Sequence, residues 1–286
     1  ELDLATARYE DFLRQRRLEV SRLFVGAFYA SKRREALQSA FQEYSRIRET
    51  HRKRYEMGDV SGLAQLKIEG EEAWYLIRLS RAERQWNAAW SELAALIGWE
   101  SGAIPEFILQ QPDSADLRDS PVLIETALRT RPDLEAARIE ARASEAAIEL
   151  ERARNIPDLN VGGGYKRDFG RSSFFVGLQL PLPLWDRREG AIGEKMAAGR
   201  RQALLSHWKE IWVRQEVERA YSLYSRLLAA SGRMSADFLQ KLDRVVRIAA
   251  VSYQQGEAGI LEYLDALRAE RDALLEFNQL SEEVEL

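Results

Sequence analysis

Most of the chain carries the hydrophobic pattern of long helices. Residues 1–56 contain no proline, and apolar positions recur among arginine and glutamate residues in steps of three and four, with a drifting period. Similar patterns cover 63–97, 187–254 and 261–286, and Gly232 marks a local irregularity in the third. The pattern predicts four long helices. Candidate buried positions on the first two are Leu18, Phe24, Phe28, Leu37, Phe41, Tyr44, Ile47, Leu66, Trp74, Leu76, Ile77, Trp86, Trp90, Leu93 and Leu96.

A shared motif joins these helices in pairs. Tyr55–Lys67 and Tyr253–Asp265 both follow the pattern Tyr-x-x-Gly-[Asp/Glu]-x-x-x-Leu-x-x-Leu. Glycine allows the left-handed conformation that ends a helix, and an acidic residue suits the positive end of the next helix. We expect Gly58 and Gly256 to be the tips of two helical hairpins.

The internal repeat extends beyond the tips. Glu19–Phe24 matches Glu216–Tyr221 at nearly the same distance before each tip. Carried backwards, the repeat predicts that a further helix and two strands, about a third of the whole protein, precede Glu1. Such a repeated unit favours pseudo-symmetry and a closed assembly.

The middle of the chain changes its pattern twice. After a linker at 101–120, Ser120 is a candidate N-cap with proline next to it, and Pro132 begins a second helix that runs to about Asn155. Two alternating runs then follow, Leu159–Tyr165 and Phe174–Leu182, separated by a polar turn. Each run spans about ten residues, which is enough for a tilted strand to cross a bilayer. An ordinary β-hairpin packed on a helix is the other interpretation.

Composition excludes several classes of function. A formal net charge of -4 argues against general nucleic-acid binding. The chain has no cysteine, which rules out disulfides and thiolate chemistry, and its two histidines, His51 and His207, lie far apart in sequence. No catalytic motif, cofactor motif or metal-ligand cluster stands out, so we expect neither an enzyme nor a cofactor or metal site.

Several segments together resemble one family of membrane proteins. They are Arg131–Ala137, Ile156–Leu159 with Gly162–Tyr165, Leu178–Asp186, and the two tip motifs. In this order they resemble the TolC family of outer membrane factors, the exit ducts of bacterial tripartite efflux pumps. The strand region is most similar to the heavy-metal branch, of CzcC and CusC type.

The resemblance implies a mainly α fold. Long antiparallel helical hairpins would form an α-barrel or coiled-coil tunnel, and a short β-hairpin would contribute to a transmembrane β-barrel. The implied division is a first periplasmic hairpin at 1–98, a linker with equatorial helices at 99–156, a barrel strand pair at 157–184, and a second periplasmic hairpin at 185–286.

The resemblance also implies a function and its partners. The protein would be a homotrimer in the outer membrane of a Gram-negative bacterium, with a tunnel in the periplasm. It would complete an RND-type pump with a periplasmic adaptor (membrane fusion) protein and an inner membrane transporter, and it would export heavy-metal cations or other toxic solutes. Two alternatives remain at this point: a periplasmic adaptor, or a soluble coiled-coil interaction protein.

Site residues follow from the same resemblance. The adaptor would dock on tip residues, and acidic residues beyond the second tip would line the channel gate together with Tyr253. Ordinary solvated helix positions are the alternative for the acids, and Lys67 is a candidate partner for them. The tip residues are Gly58, Asp59, Val60, Gly256, Glu257 and Ala258; the gate residues are Glu262, Asp265 and Tyr253; the membrane-strand residues are Leu159, Val161, Tyr165, Phe174, Val176, Leu178 and Leu180.

A basic run precedes the first tip. It extends from Arg46 to Arg54 and includes His51. A solvated helix face is one interpretation, and a contact with the adaptor is the other.

Overall fold

Helices dominate the part of the chain that the structure describes. The computed structural model describes residues 1–58, 61–109, 119–154, 156, 158–180, 188–233 and 236–286. Its elements are α1 (Leu2–Glu56), α2 (Gly62–Ile97), α3 (Ser120–Thr130), α4 (Pro132–Ala153), β1 (Asn160–Asp168), β2 (Arg171–Gln179), α5 (Glu189–Arg233), α6 (Ala236–Gln255) and α7 (Ile260–Glu285). The predicted fold class, mainly α with one short β-hairpin, is confirmed.

The chain forms two compact units. The first unit comprises Glu1–Leu13 and Arg118–Arg219, and the second comprises Arg14–Leu117 and Ala220–Leu286. The sequence predicted one helix over 187–254; the structure describes α5 and α6 on either side of residues 234 and 235, which lie outside the described residues. The four-part division made from the sequence remains a prediction.

Helices α1, α2, α6 and α7 share the core of the second unit. Tyr44 and Tyr75 stack at its centre with ring centroids 4.6 Å apart, and both are almost fully buried. Because each helix turns one apolar stripe inward, the four stripes meet in a single cluster. Its buried members are Leu37, Ala40, Tyr44, Ile47, Ile68, Tyr75, Leu79, Ala82, Ile260, Tyr263, Leu264 and Leu267.

Five of the predicted core positions are wrong. Leu18 on α1 and Leu66, Trp74, Leu76 and Ile77 on α2 are all exposed by 42% or more. On α2 the buried face instead contains residues such as Gln65, Ile68 and Tyr75. Apolar residues lie on more than one face of this helix, so its period alone did not identify the face that turns inward.

In the first unit, an ionic cluster joins α4 to α5. Asp133 accepts hydrogen bonds from Arg131 at 2.8 Å and pairs with Lys209 at 2.9 Å, and Arg131 also reaches Glu216 at 2.8 Å. Burial of the Asp133 carboxyl acts to raise its pKa, but the bonds from Arg131 and Lys209 outweigh burial and hold the pKa well below its usual range. The Arg131–Ala137 motif therefore contains residues that fix one helix against another.

The start of α3 differs slightly from the prediction. Asp119, not Ser120, is the N-cap residue, and it makes no side-chain capping bond. Pro121 lies in the first turn, where its missing N–H has no helical partner to lose.

Strands β1 and β2 form an antiparallel hairpin with a shorter turn than predicted. They pair from Asn160 with Gln179 to Asp168 with Arg171, and Phe169 and Gly170 form the turn with φ of 46° and 82°. Two consecutive positive φ angles are typical of a two-residue hairpin turn. The prediction of a polar turn over 166–173 is wrong, because polar residues extend an exposed hairpin as readily as apolar ones do.

None of the helices described here is long and apolar enough to cross a membrane.

Candidate functional site

The first tip ends α1 with a left-handed glycine. Gly58 has a φ of 82°, and its N–H donates to the carbonyl of Tyr55 at 2.9 Å. Ser61 then caps α2, because its side chain accepts a bond from the N–H of Ala64 at 3.4 Å. Asp59 and Val60, two of the predicted docking residues, lie outside the described residues.

The second tip also ends its helix with a left-handed glycine. Gly256 has a φ of 76°, and the N–H groups of Glu257 and Ala258 both donate to the carbonyl of Ser252, at 2.9 and 3.2 Å. Gly256 and Glu257 are exposed, and Ala258 is partly exposed. Both glycines adopt the helix-ending conformation that the tip motif predicted.

The two predicted gate acids lie beyond the second tip on α7. Glu262 and Asp265 are both exposed, and the side chain of Asp265 keeps 72% of its surface accessible. Arg268, one turn further on, donates to Asp265 at 3.3 Å and also to Glu71 on α2. Arg268 therefore connects the acidic segment of the second hairpin to the first hairpin.

Lys67 does not make the ion pair expected from the sequence. It lines a cavity of about 300 Å³ together with Asp265 and Arg268, but it pairs with neither Glu262 nor Asp265. Arg268 takes that place because it lies three residues from Asp265 on the same helix face. The spacing of Asp265 and Arg268 could have predicted their pairing, whereas the contact with Glu71 is tertiary.

Tyr253 connects the second hairpin to the first. Its hydroxyl accepts a bond from Arg54 at 3.3 Å, and its ring stacks on Tyr263 with centroids 6.1 Å apart. Tyr263 in turn donates to Glu43 on α1 at 3.2 Å. Burial and the nearby Glu43 carboxylate raise the pKa of Tyr263 to about 12, so its hydroxyl remains protonated at neutral pH.

The basic run before the first tip is largely committed to partners within the chain. Arg48 pairs with Glu72 on α2 at 2.7 Å, and Arg52 pairs with Glu49 at 3.0 Å. His51 is buried, and its Nδ1 lies 3.2 Å from Oε1 of Gln65 on α2. At Arg48 and His51 the run therefore contacts α2 and is not simply a solvated helix face, and its contact with an adaptor stays a prediction. The described residues contain no group of three or more acidic or histidine side chains that could hold a metal ion.

Five of the seven predicted membrane-strand residues lie in β1 and β2 and share one face of the hairpin, whereas Leu159 and Leu180 lie one residue outside the strands. Val161 pairs with Leu178 and Tyr165 pairs with Phe174, so these side chains point the same way. The opposite face carries Gly162, Gly164, Gly177 and polar residues, together with Phe175. All seven predicted residues are exposed by 50% or more: Leu159, Val161, Tyr165, Phe174, Val176, Leu178 and Leu180.

A comparison with known protein families shows the family to which the chain belongs. The family described as "Outer membrane efflux protein" matches residues 123–285, which is more than half of the chain. The chain belongs to the outer membrane efflux protein family. This membership confirms the resemblance to the TolC family of outer membrane factors.

Individual relatives agree with the family. The cobalt-zinc-cadmium resistance protein CzcC of Cupriavidus metallidurans is 28% identical over 89% of this chain and 60% of its own length. The nickel and cobalt resistance protein CnrC of the same organism is 36% identical over 25% of this chain and 18% of its own length. The chain thus spans about 60% of the length of CzcC.

Solved structures support the fold. The outer membrane protein VceC of Vibrio cholerae superposes with a TM-score of 0.73 over 99% of this chain and 70% of its own, at 18% identity. At this identity the likeness concerns the fold alone.

Proposed function

We propose that the protein is the outer membrane exit duct of a tripartite, RND-type efflux pump, and that this chain supplies the periplasmic entrance of the duct. The observation that carries the proposal is the second unit: two glycine-tipped hairpins share one core, and Glu262 and Asp265, just beyond the second tip, are both exposed. Membership of the outer membrane efflux protein family supports the location in the outer membrane and the role in efflux. The unit fits a passive channel mouth, with energy supplied by an inner membrane transporter.

Two exposed apolar stripes support a homotrimer. On α2, Leu63, Leu66, Trp74 and Ile77 fall on one helix face, and each is exposed by 54% or more. On α6, Val245, Ile248 and Val251 are exposed by 49% or more. A closed ring joins two different surfaces of each subunit, and exposed apolar patches mark protein interfaces. We assign the α2 stripe of one subunit and the α6 stripe of the next to that interface.

The acidic segment then becomes the gate. Threefold repetition would turn Glu262 and Asp265 into rings of carboxylates, which attract cations and narrow the entrance. Tyr253 would hold the second hairpin in the closed position through its bond from Arg54. Opening requires the second hairpin to move away from the first, which breaks this bond and the contact between Arg268 and Glu71.

The tips would receive the adaptor protein. Gly58, Gly256 and Glu257 are exposed at the ends of their hairpins, and the assignment includes Asp59, Val60 and Ala258 by position in the motif. Glycine at a tip leaves the backbone open to close approach by a partner.

The β-hairpin would lie in the outer membrane. One apolar face and one face rich in glycine and polar groups suit strands between lipid and water.

We propose heavy-metal cations as substrates, because CzcC, which covers most of this chain, is a cobalt-zinc-cadmium resistance protein. Other toxic solutes are the second substrate class.

Planar-bilayer conductance of the purified, reconstituted protein tests the proposal. Wild type is compared with the double variant Glu262→Ala plus Asp265→Ala. The charge-matched control is Glu276→Ala plus Glu283→Ala, which lies on the same helix but further from the tip. We expect a small cation-selective conductance that rises in the first double variant and is unchanged in the control. Inserted protein without conductance in any variant would refute the duct, and equal changes in both double variants would refute this location of the gate.

A further inference from the structure

A second cavity lies away from the tips, between α1, α2 and the linker that follows α2. Its volume is about 400 Å³, within the range of small-molecule sites. The wall formed by the linker is anchored, because the ring of Phe107 packs 5.6 Å from that of Phe24 and 5.7 Å from that of Trp90. The cavity is therefore preformed.

One wall of this cavity carries a cation without an acid partner. The guanidinium carbon of Arg34 lies 4.2 Å from the ring centre of Trp86, and Arg34 makes no ion pair with the residues described here. Its neighbour Arg33, by contrast, pairs with Glu282. The Nε of Arg34 and the Nε1 of Trp86 are both buried without a hydrogen-bond partner in the described structure, and Trp86 is only 8% exposed. Buried donors are normally paired.

The other charges of the cavity narrow the choice of ligand. Lys32 pairs with Glu35 at 3.2 Å, which leaves Arg34 as the cation and Glu106 as the acid without an ion pair among the described residues that line the cavity. Arg34 can therefore receive one carboxylate, and Glu106 would repel a second negative charge. Phe28, Ile104, Pro105 and Phe107 supply apolar surface.

We propose that this cavity binds a small organic monocarboxylate with an apolar or aromatic body. The carboxylate would accept hydrogen bonds from Arg34, whose stacking on Trp86 holds the guanidinium plane in place. The apolar body would occupy the space between Phe28 and the linker. A bound acid would join the linker to the first hairpin, at a site separate from the gate.

Calorimetric titration of the detergent-solubilised protein with phenylacetate tests this site. Benzyl alcohol and benzylamine serve as neutral and cationic analogues of the same size. We expect saturable phenylacetate binding with a Kd of about 1 mM, as is reasonable for so small a ligand, and weaker binding of both analogues. Absence of saturable binding, or equal binding of benzyl alcohol, would overturn the proposal without any variant being needed.

Variants then locate the site. Arg34→Gln should weaken phenylacetate binding at least about tenfold, since a charged hydrogen bond is lost, whereas Arg34→Lys should retain part of the affinity. The control is Arg84→Gln, an exposed arginine on α2 that does not line the cavity. Circular dichroism checks that each variant is folded. An unchanged affinity in Arg34→Gln would place the binding elsewhere and refute the assignment. Because the readout is binding, its failure would leave the conductance experiment unaffected.

Discussion

At the first tip, the inward-facing side chains are polar: His51 on α1 contacts Gln65 on α2, and Gln65 donates to Glu69 at 2.7 Å. At the second tip, the repeat aligns Ala249 with His51 and Tyr263 with Gln65. Tyr263 belongs to the apolar core, with Ala249 packed against it. At these aligned positions, the first hairpin thus buries a hydrogen-bonded polar pair, whereas the second places its side chains in or against the apolar core.

The aligned residues that follow on α2 and α7 differ in exposure and charge. Leu66 is 67% exposed on α2, whereas the aligned Leu264 on α7 is 2% exposed. Lys67 of the first tip corresponds to Asp265 of the second. At these aligned positions the first hairpin exposes a leucine and a lysine, whereas the second buries the leucine and exposes a carboxylate. The two copies of the repeat therefore differ in which aligned side chains they bury and in the charge that they expose.

The strongest test of this difference exchanges the aligned leucines for alanine. Leu264→Ala should lower the free energy of unfolding by about 2–5 kcal/mol, because it leaves a cavity in the core. Leu66→Ala is the matched control, and in the isolated chain it should change stability by no more than about 0.5 kcal/mol. Urea unfolding followed by circular dichroism measures both, and equal losses would contradict the comparison.

A smaller effect is expected from the polar interior of the first tip. Since the amide of Gln65 donates to Glu69, its Oε1 faces His51 and accepts from Nδ1. His51→Leu leaves that buried oxygen without a donor and should cost about 1–3 kcal/mol. Adding Gln65→Leu should restore most of the loss, since both buried partners are then apolar. If the loss of unfolding free energy in the double variant equals the sum of the losses in the two single variants, the two residues do not act as a pair.

The smallest effect concerns the alkaline stability of the second hairpin. Folding raises the pKa of Tyr263 to about 12, above the unfolded value near 10. Its contribution to stability is therefore complete below about pH 10 and is lost as pH rises towards 12. Tyr263→Phe should cost about 1 kcal/mol at neutral pH through the bond to Glu43, and should then lose less stability than wild type between about pH 10 and 12.

The control for this titration is Phe41→Leu, which changes a partly buried aromatic residue of the same core without removing a hydroxyl. It should shift stability equally at all pH values. Parallel pH profiles for wild type and Tyr263→Phe would show that Tyr263 does not titrate in this window.

Much of the fold was predictable because its signals are local. Helix α1 ends at Glu56 and α2 ends at Ile97. The periodicity and the glycines that follow predicted both of these boundaries. The turn of the β-hairpin was less predictable. Phe169 takes a positive φ of 46°, which is uncommon for a residue other than glycine, and no sequence signal indicated it.

For the candidate site, the sequence identified both tip glycines and placed the acids on one exposed face. It did not identify the contacts of Arg268 with Glu71 or of Arg54 with Tyr253, since each joins residues almost two hundred positions apart. Their roles at a gate, like those of the tips at an adaptor, remain predictions.

By itself, the sequence determined the helical elements, the positive φ of Gly58 and Gly256, and the family, because periodicity, glycine and ordered motifs act over short stretches of chain. Tertiary structure alone decided which aligned residue is buried, as with Leu264 against Leu66, and which arginine lacks an acid partner, as with Arg34 against Arg33. Burial and ion pairing depend on which helix faces lie against each other, and that choice depends on contacts made across the whole unit.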